Sequence, residues 1–418
     1  MAATIPTLIA KCKELNIKGY SGKKKDQLIA LIAAQPAAAG PIVEPIIEPI
    51  IEPIIANNKK TRGQFYTVDC DYILNGLADI LGDHVLRVIE PFAGKNDLIK
   101  WISKKRPDVF ARAVIEAYDI DPKSPNIVAR DTLMDPPNYA GSWVITNPPY
   151  LARNKCANKA IFDKYDTNDL YKCFMNSIAS ADGGIIIIPA GFFLSPRDID
   201  VRCRRAFMTR FRILHVRYFE QTVFPDTTTT VVAFNFARAV AQLNEQTIDW
   251  EILPRAEHRE FTTGTANDWI IGGDIYKYRG RIPIDGRAQI PLIRVRRFVV
   301  GDALTPGEQQ TFMTLNALDS GSQDGRIKLV YEAGTIYQAK ESSRAYATLC
   351  IVGANLTEPQ QIAICARFNA LIEEKRAQTW SLFLPQYRES KEYARKRIPF
   401  DLAYHIITEL VIDEITQQ

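Results

Sequence analysis

The sequence predicts an α/β protein centred on an open, mostly parallel sheet, with a small helical module before it and an α+β region after it. Three observations predict this class. Short apolar runs alternate with helical patterns between residues 85 and 236, the rhythm of strand–helix–strand units. The run Val144-Ile145-Thr146 stops at Asn147-Pro148-Pro149-Tyr150, and two prolines cannot donate to a ladder, so a strand must end there. Four such runs end on an acidic or amide residue: Glu90, Asp119, Asp131 and Asn147. In open parallel sheets, ligands bind at the carboxyl ends of the strands.

Composition bounds the reading. The 418 residues allow two or three domains, and 46% hydrophobic with 24% charged residues is ordinary for a folded, water-exposed chain. The net charge of +4 permits nucleic-acid binding without requiring it. Seven cysteines, none in a Cys-x-x-Cys pair, and four dispersed histidines point to neither a disulfide framework nor a metal site. The expected setting is a reducing compartment, cytoplasmic or nuclear. No leader and no membrane-spanning run is expected.

Residues 1–35 read as a helix, a turn at Gly19-Tyr20-Ser21-Gly22 and a second helix carrying Leu28, Ile29 and Ile32, with Ser21 as a candidate cap. Lys23, Lys24 and Lys25 stand at the start of that helix, where cations oppose the dipole unless an anion is near. The pattern resembles the SAP module of DNA-associated proteins, and the resemblance implies phosphate contacts for these three lysines. A solvated helical hairpin is the structural alternative. Residues 36–60 repeat Pro-Ile-Ile-Glu, and proline at every fourth position forbids a helix, so a tether is expected.

The sheet domain is assigned to residues 61–240 and the carboxyl-terminal region to 241–418. Val85 to Ile89 reads as the first strand, running into Glu90-Pro91-Phe92-Ala93-Gly94-Lys95-Asn96. Glycine at a point of close backbone approach, opening a helix, is what an adenosine-type cofactor needs. Ala113 to Tyr118 leads to Asp119, placed for two ribose hydroxyls, and Ile127 to Ala129 leads to Asp131. For either aspartate alone, a turn or cap is the simpler explanation. A helix at 168–181 precedes the buried strand Ile185 to Ile188, and Ile213 to Phe219 and Thr229 to Phe236 are joined too closely to be parallel. Arg153 lies in a basic loop suited to phosphates. Arg294-Val295-Arg296-Arg297 and Arg395-Lys396-Arg397, with Tyr387, Tyr393 and Phe400 interleaved, are candidate nucleic-acid contacts.

The tetrapeptide suits methylation of an exocyclic amino group. Such a nitrogen is a weak nucleophile because its lone pair is delocalised. Two acceptors, the Asn147 side-chain oxygen and the Pro148 carbonyl, would stabilise the charge that develops on it. Tyr150 offers a stacking face. Asn-Pro-Pro-Tyr after an apolar strand resembles the catalytic motif of amino-methyltransferases that use S-adenosylmethionine, above all those acting on adenine N6 in DNA. The resemblance covers residues 61 to 236 and implies a Rossmann-like seven-stranded methyltransferase sheet with a reversed last strand. It also implies a target-recognition region at the carboxyl end and duplex DNA as the partner, with any endonuclease of a restriction-modification pair on a separate chain. It assigns Asn147, Pro148, Pro149 and Tyr150 to catalysis, and Thr67, Glu90, Phe92, Gly94, Asp119, Asp131 and Asn147 to the cofactor. Tyr150 and Phe224 would stack on an extruded base. Asn96 stands where the family has a second glycine, and Asn tolerates the left-handed backbone the turn needs. Cytosine N4, RNA adenine and an inactive DNA-binding scaffold remain the competing readings.

Overall fold

The computed structural model describes residues 7–9, 12, 17, 23–33, 67 and, with short gaps, 69–278, 293–319 and 327–416. The chain divides into two compact units, Met1–Ile54 and Ile55–Gln418. In the first, helix Lys25–Ala33 buries Leu28 against Leu8, Cys12 and Ile17. Gln27 Oε1 accepts from the Lys24 backbone N–H (3.0 Å), satisfying one of the orphan donors of the first turn. Ser21, the expected cap, lies outside the described residues, as do Gly19, the tether and Tyr393.

The second unit is built on one large sheet. Its strands are β1 Arg87–Glu90, β2 Val114–Asp119, β3 Val128–Ala129, β4 Trp143–Thr146, β5 Gly183–Pro189, β6 Phe211–Phe219, β7 Val231–Arg238, β8 Glu245–Leu253 and β9 Glu257–Gly264. Their order is β3-β2-β1-β4-β5-β7-β6-β8-β9. β7 runs antiparallel to both β5 and β6, the reversed strand that the short connection requires. The sheet has nine strands where seven were expected, and it continues past residue 240 to Gly264. The reason is that β6 does not end the sheet: β8 pairs with it in parallel, burying Ile248, Trp250 and Ile252 at period two, and β9 closes a hairpin on β8.

β4 and β5 are buried along most of their length, as a sheet covered on both faces requires. Gly183 and Gly184 allow the close approach of their neighbours. A Cβ on Gly183 would lie 2.6 Å from the Phe236 carbonyl oxygen and equally near the Trp143 ring.

The carboxyl-terminal region forms a second, antiparallel sheet of β10 Arg294–Arg297, β11 Glu308–Asn316, β12 Lys328–Tyr331 and β13 Tyr346–Val352, in the order β10-β13-β11-β12. Helices Glu358–Thr379 and Phe400–Thr416 pack on it around a separate core that includes Leu315, Phe368 and Ile406. Thr357 and Gln360 cap the longer helix with a reciprocal box.

Candidate active site

The strand order reverses direction between β1 and β4, and the residues following these two strands flank a crevice at the carboxyl edge of the sheet. The loop after β1 is held by backbone conformation and by one carboxylate. Gly94 (φ 53°) and Asn96 (φ 65°, ψ 27°) both take left-handed conformations, which glycine and asparagine tolerate. Asp119 Oδ2 accepts from Gly94 N–H (2.8 Å) and Oδ1 from Asp121 N–H (2.8 Å). The carboxylate therefore shapes the loop first, and each oxygen keeps one lone pair for a ligand.

A cavity of 310 Å³ opens here, lined by Phe92, Gly94, Asp119, Asp131, Asn147 and Pro149 among others. Six residues singled out in the sequence thus meet in one place. Asp131 Oδ1 also accepts from the N–H groups of Leu133 and Met134 (3.1 Å each), the turn its sequence alone suggested. Glu90 is buried, and its Oε2 has no hydrogen-bond partner among the described residues. Burial, with Asp97 and Asp119 nearby, holds its pKa well above the usual carboxylate range. Ile120, Leu151, Asn158, Ile161 and Leu170 also line the cavity and were not foreseen. Ile120 carried a signal: an apolar side chain between two aspartates in a turn, left 59% exposed, has no core to join.

Asn147 is clamped from both sides. Its Nδ2 donates to Thr67 Oγ1 (3.2 Å), and its Oδ1 accepts from the Tyr150 hydroxyl, which also reaches the Ile187 carbonyl oxygen (2.9 Å). The carboxamide is fixed with its nitrogen toward Thr67 and its oxygen toward Tyr150. Tyr150 itself is only 9% exposed, packs edge-on against Tyr171 (6.3 Å between centroids), and has its pKa raised by burial. Its ring is enclosed and its hydroxyl points back at Asn147. Thr67, expected at the cofactor, is buried and bonded to Asn147, which lines the cavity. Next to this cluster Asp169 accepts from Leu151 N–H (3.2 Å), and burial pushes its pKa up to about 6.

Other candidates lie elsewhere. The Phe224 ring is 2% exposed and belongs to the main core. Arg153 pairs with Asp163 (2.7 Å) and sits over the Phe162 ring. Lys396 donates to Glu220 Oε1 (3.2 Å) and the Trp380 carbonyl oxygen (3.1 Å), so its charge ties the carboxyl-terminal region to the end of β6. Arg296 is taken up by Glu308 (2.9 Å) and Asp302 (2.5 Å). Arg395 and Arg397 lie on the short pairing of Gln386–Tyr387 with Arg395–Lys396 and just beyond it. Lys23, Lys24 and Lys25 belong to the first unit. Among the described residues, no helix is long and apolar enough to cross a membrane.

The family model that matches is the amino-terminal domain of the Rho termination factor, over residues 2–40, rather than a SAP model. No curated protein matches the chain by sequence. Solved structures with partial likeness include a modification subunit of a putative type I restriction enzyme from Vibrio vulnificus (14% identity, TM-score 0.38, 49% of this chain and 51% of that one). The methyltransferase subunit of a type I restriction-modification system from Streptococcus thermophilus shows 15% identity and a TM-score of 0.36, over 57% of this chain and 54% of that one. The M protein of the type I restriction enzyme EcoKI shows 14% identity and a TM-score of 0.36, over 59% of each chain. The chain thus spans about half the length of the solved structures it resembles.

Proposed function

We propose that the chain is an S-adenosylmethionine-dependent methyltransferase acting on adenine N6 of DNA, with duplex DNA as partner. The observation that carries this reading is the clamped Asn147 carboxamide at the mouth of an acceptor-lined cavity, directly after β4. The cofactor fits these residues. Its ribose diol and adenine amine are donors, and the cavity offers Asp119 and Asp131 as acceptors. Its amino group is a cation, and Glu90 is a buried carboxyl whose Oε2 has no partner among the described residues. When bound, the cofactor supplies an electrophilic methyl on a sulfonium.

The chain's own part is to position and polarise the target. The Asn147 side-chain oxygen and the Pro148 carbonyl, fixed by the following proline, supply the two acceptors for the amino group. These acceptors gain strength as positive charge develops on the nitrogen, so they favour the transition state over the ground state. The target base must leave the duplex to reach this edge. In this reading the mark belongs to a restriction-modification pair whose endonuclease is a separate chain, and the basic residues outside the cavity contact DNA.

The test is transfer of labelled methyl from S-adenosylmethionine to unmethylated duplex DNA, with nucleoside analysis of the product. N6-methyladenine from the wild type, reduced about 10²–10³-fold in Asn147→Ala with cofactor binding retained, is the expected result. Cytosine-N4 product would keep the chemistry and move the substrate. Failure to transfer methyl to DNA, RNA or protein by folded material would leave a binding scaffold.

A further inference from the structure

Far from the cavity, in the middle of the sheet's added edge, two of the chain's four histidines converge on one carboxylate. His215 lies on β6, Asp249 on β8 and His258 on β9. Register brings them together: His215 is opposite Asp249, while His258 is opposite Glu251, two residues along the same face. His215 Nδ1 lies 2.6 Å from Asp249 Oδ2, and His258 Nδ1 lies 3.3 Å from Asp249 Oδ1. The two imidazole rings stack at 5.9 Å, and one ligand atom from each of the three residues falls within 4.8 Å of the others.

We propose that His215, Asp249 and His258 form a divalent transition-metal site of the zinc class, which staples β9 and β8 to β6. Tetrahedral zinc with bonds of about 2.0–2.1 Å holds its ligand atoms roughly 3.4 Å apart. The His258–Asp249 separation already has that value, and the His215–Asp249 separation needs to open by less than about 1 Å. Imidazole and carboxylate are donors this ion accepts, and the half-exposed setting leaves a coordination position for water.

Charge supplies an independent reason for a cation here. Asp249 sits directly across from Glu260 in the β8–β9 register, with Glu251 next on the same face. Like charges facing each other across an antiparallel pair are destabilising. Arg217 is committed to Glu251, and Glu260 has no ion-pair partner among the described residues. A bound dication offsets that repulsion.

The experiment is titration of metal-stripped, full-length protein with Zn²⁺ alone by calorimetry, and with Co²⁺ alone by visible absorption, alongside thermal melts. The wild type should bind one ion per chain, show the absorption of a four-coordinate cobalt site, and melt at a higher temperature when loaded. His258→Ala and Asp249→Asn should weaken binding at least about 10–100-fold, the range already produced by losing an outer-shell partner. Because His258 is largely exposed, that variant should melt like the wild type in chelator. Equal binding by wild type and both variants, or no saturable binding by the wild type, would overturn the proposal and leave hydrogen bonds between imidazoles and Asp249.

Discussion

Tyr150 and Thr67 hold Asn147 from opposite sides, and this sets what each substitution should do. If the hydroxyl positions the carboxamide, Tyr150→Phe should lower kcat for methyl transfer by about 10-fold or more while leaving the KM for DNA nearly unchanged. A platform for the base would show the opposite pattern, with Phe nearly as good as Tyr. Asp169 makes a different kind of prediction. Its carboxyl titrates near 6 in the fold against an ordinary value of 3.8. A raised carboxyl favours the folded state while protonated, so this contribution is present below about pH 4 and lost as pH rises through 6. Asp169→Asn keeps the acceptor for Leu151 N–H without the buried charge. It should therefore stabilise the protein at pH 8 by up to roughly 2–3 kcal/mol and little at pH 4. Thermal melts at the two pH values, compared with the wild type, check this, and an equal shift at both would remove burial of the charge as the cause.

Among the elements, β5 is the most exacting, because it is enclosed by β4 on one side and β7 on the other. A Cβ on Gly183 would strike the Phe236 carbonyl oxygen and the Trp143 ring, one on Gly184 the Val144 carbonyl oxygen and the Phe236 ring, and neither carbonyl can yield without disturbing the ladder. Gly183→Ala should cost about 1–3 kcal/mol, read as a lower urea midpoint with an unchanged slope. The loop after β1 shows the same dependence on backbone conformation, for Asn96 sits in the left-handed region that its amide side chain tolerates. That tolerance of asparagine for the left-handed backbone was legible in the sequence.

Across the whole molecule, the two sheets keep separate cores and are joined by specific contacts. The Trp380 ring lies beneath both Arg255 (4.9 Å) and Arg259 (4.8 Å), and Lys396 reaches Glu220. The basic residues of this region that looked free for DNA are thus partly spent on holding the region in place. The amino-terminal unit is the better candidate for phosphate contacts, since Lys24 is exposed and Lys23 and Lys25 are partly so. Replacing Lys23, Lys24 and Lys25 together by alanine should weaken nucleic-acid binding and reduce the salt dependence of log K by up to about 3, without lowering the melting temperature of the sheet domain. Unchanged binding and an unchanged salt slope would remove the arm from the interface.

The sequence by itself determined the strand ends. Apolar runs stopped by proline, glycine or an acidic residue are local events, and topology then forces the residues at those ends onto one edge, so Gly94, Asp119, Asp131 and Asn147 could be gathered before any coordinates. Only tertiary structure decided what depends on neighbours distant in the chain. The hydroxyl of Tyr150 reaches Asn147 and the Ile187 carbonyl oxygen while its ring packs on Tyr171, and Phe224 lies in the core. The sheet grew by two strands because β6 had an unpaired edge that β8 could bury. The histidines looked dispersed because His215 and His258 are far apart in sequence, yet strand register sets them beside the same aspartate. Periodicity is written residue by residue, whereas register and enclosure exist only once the strands have found their partners.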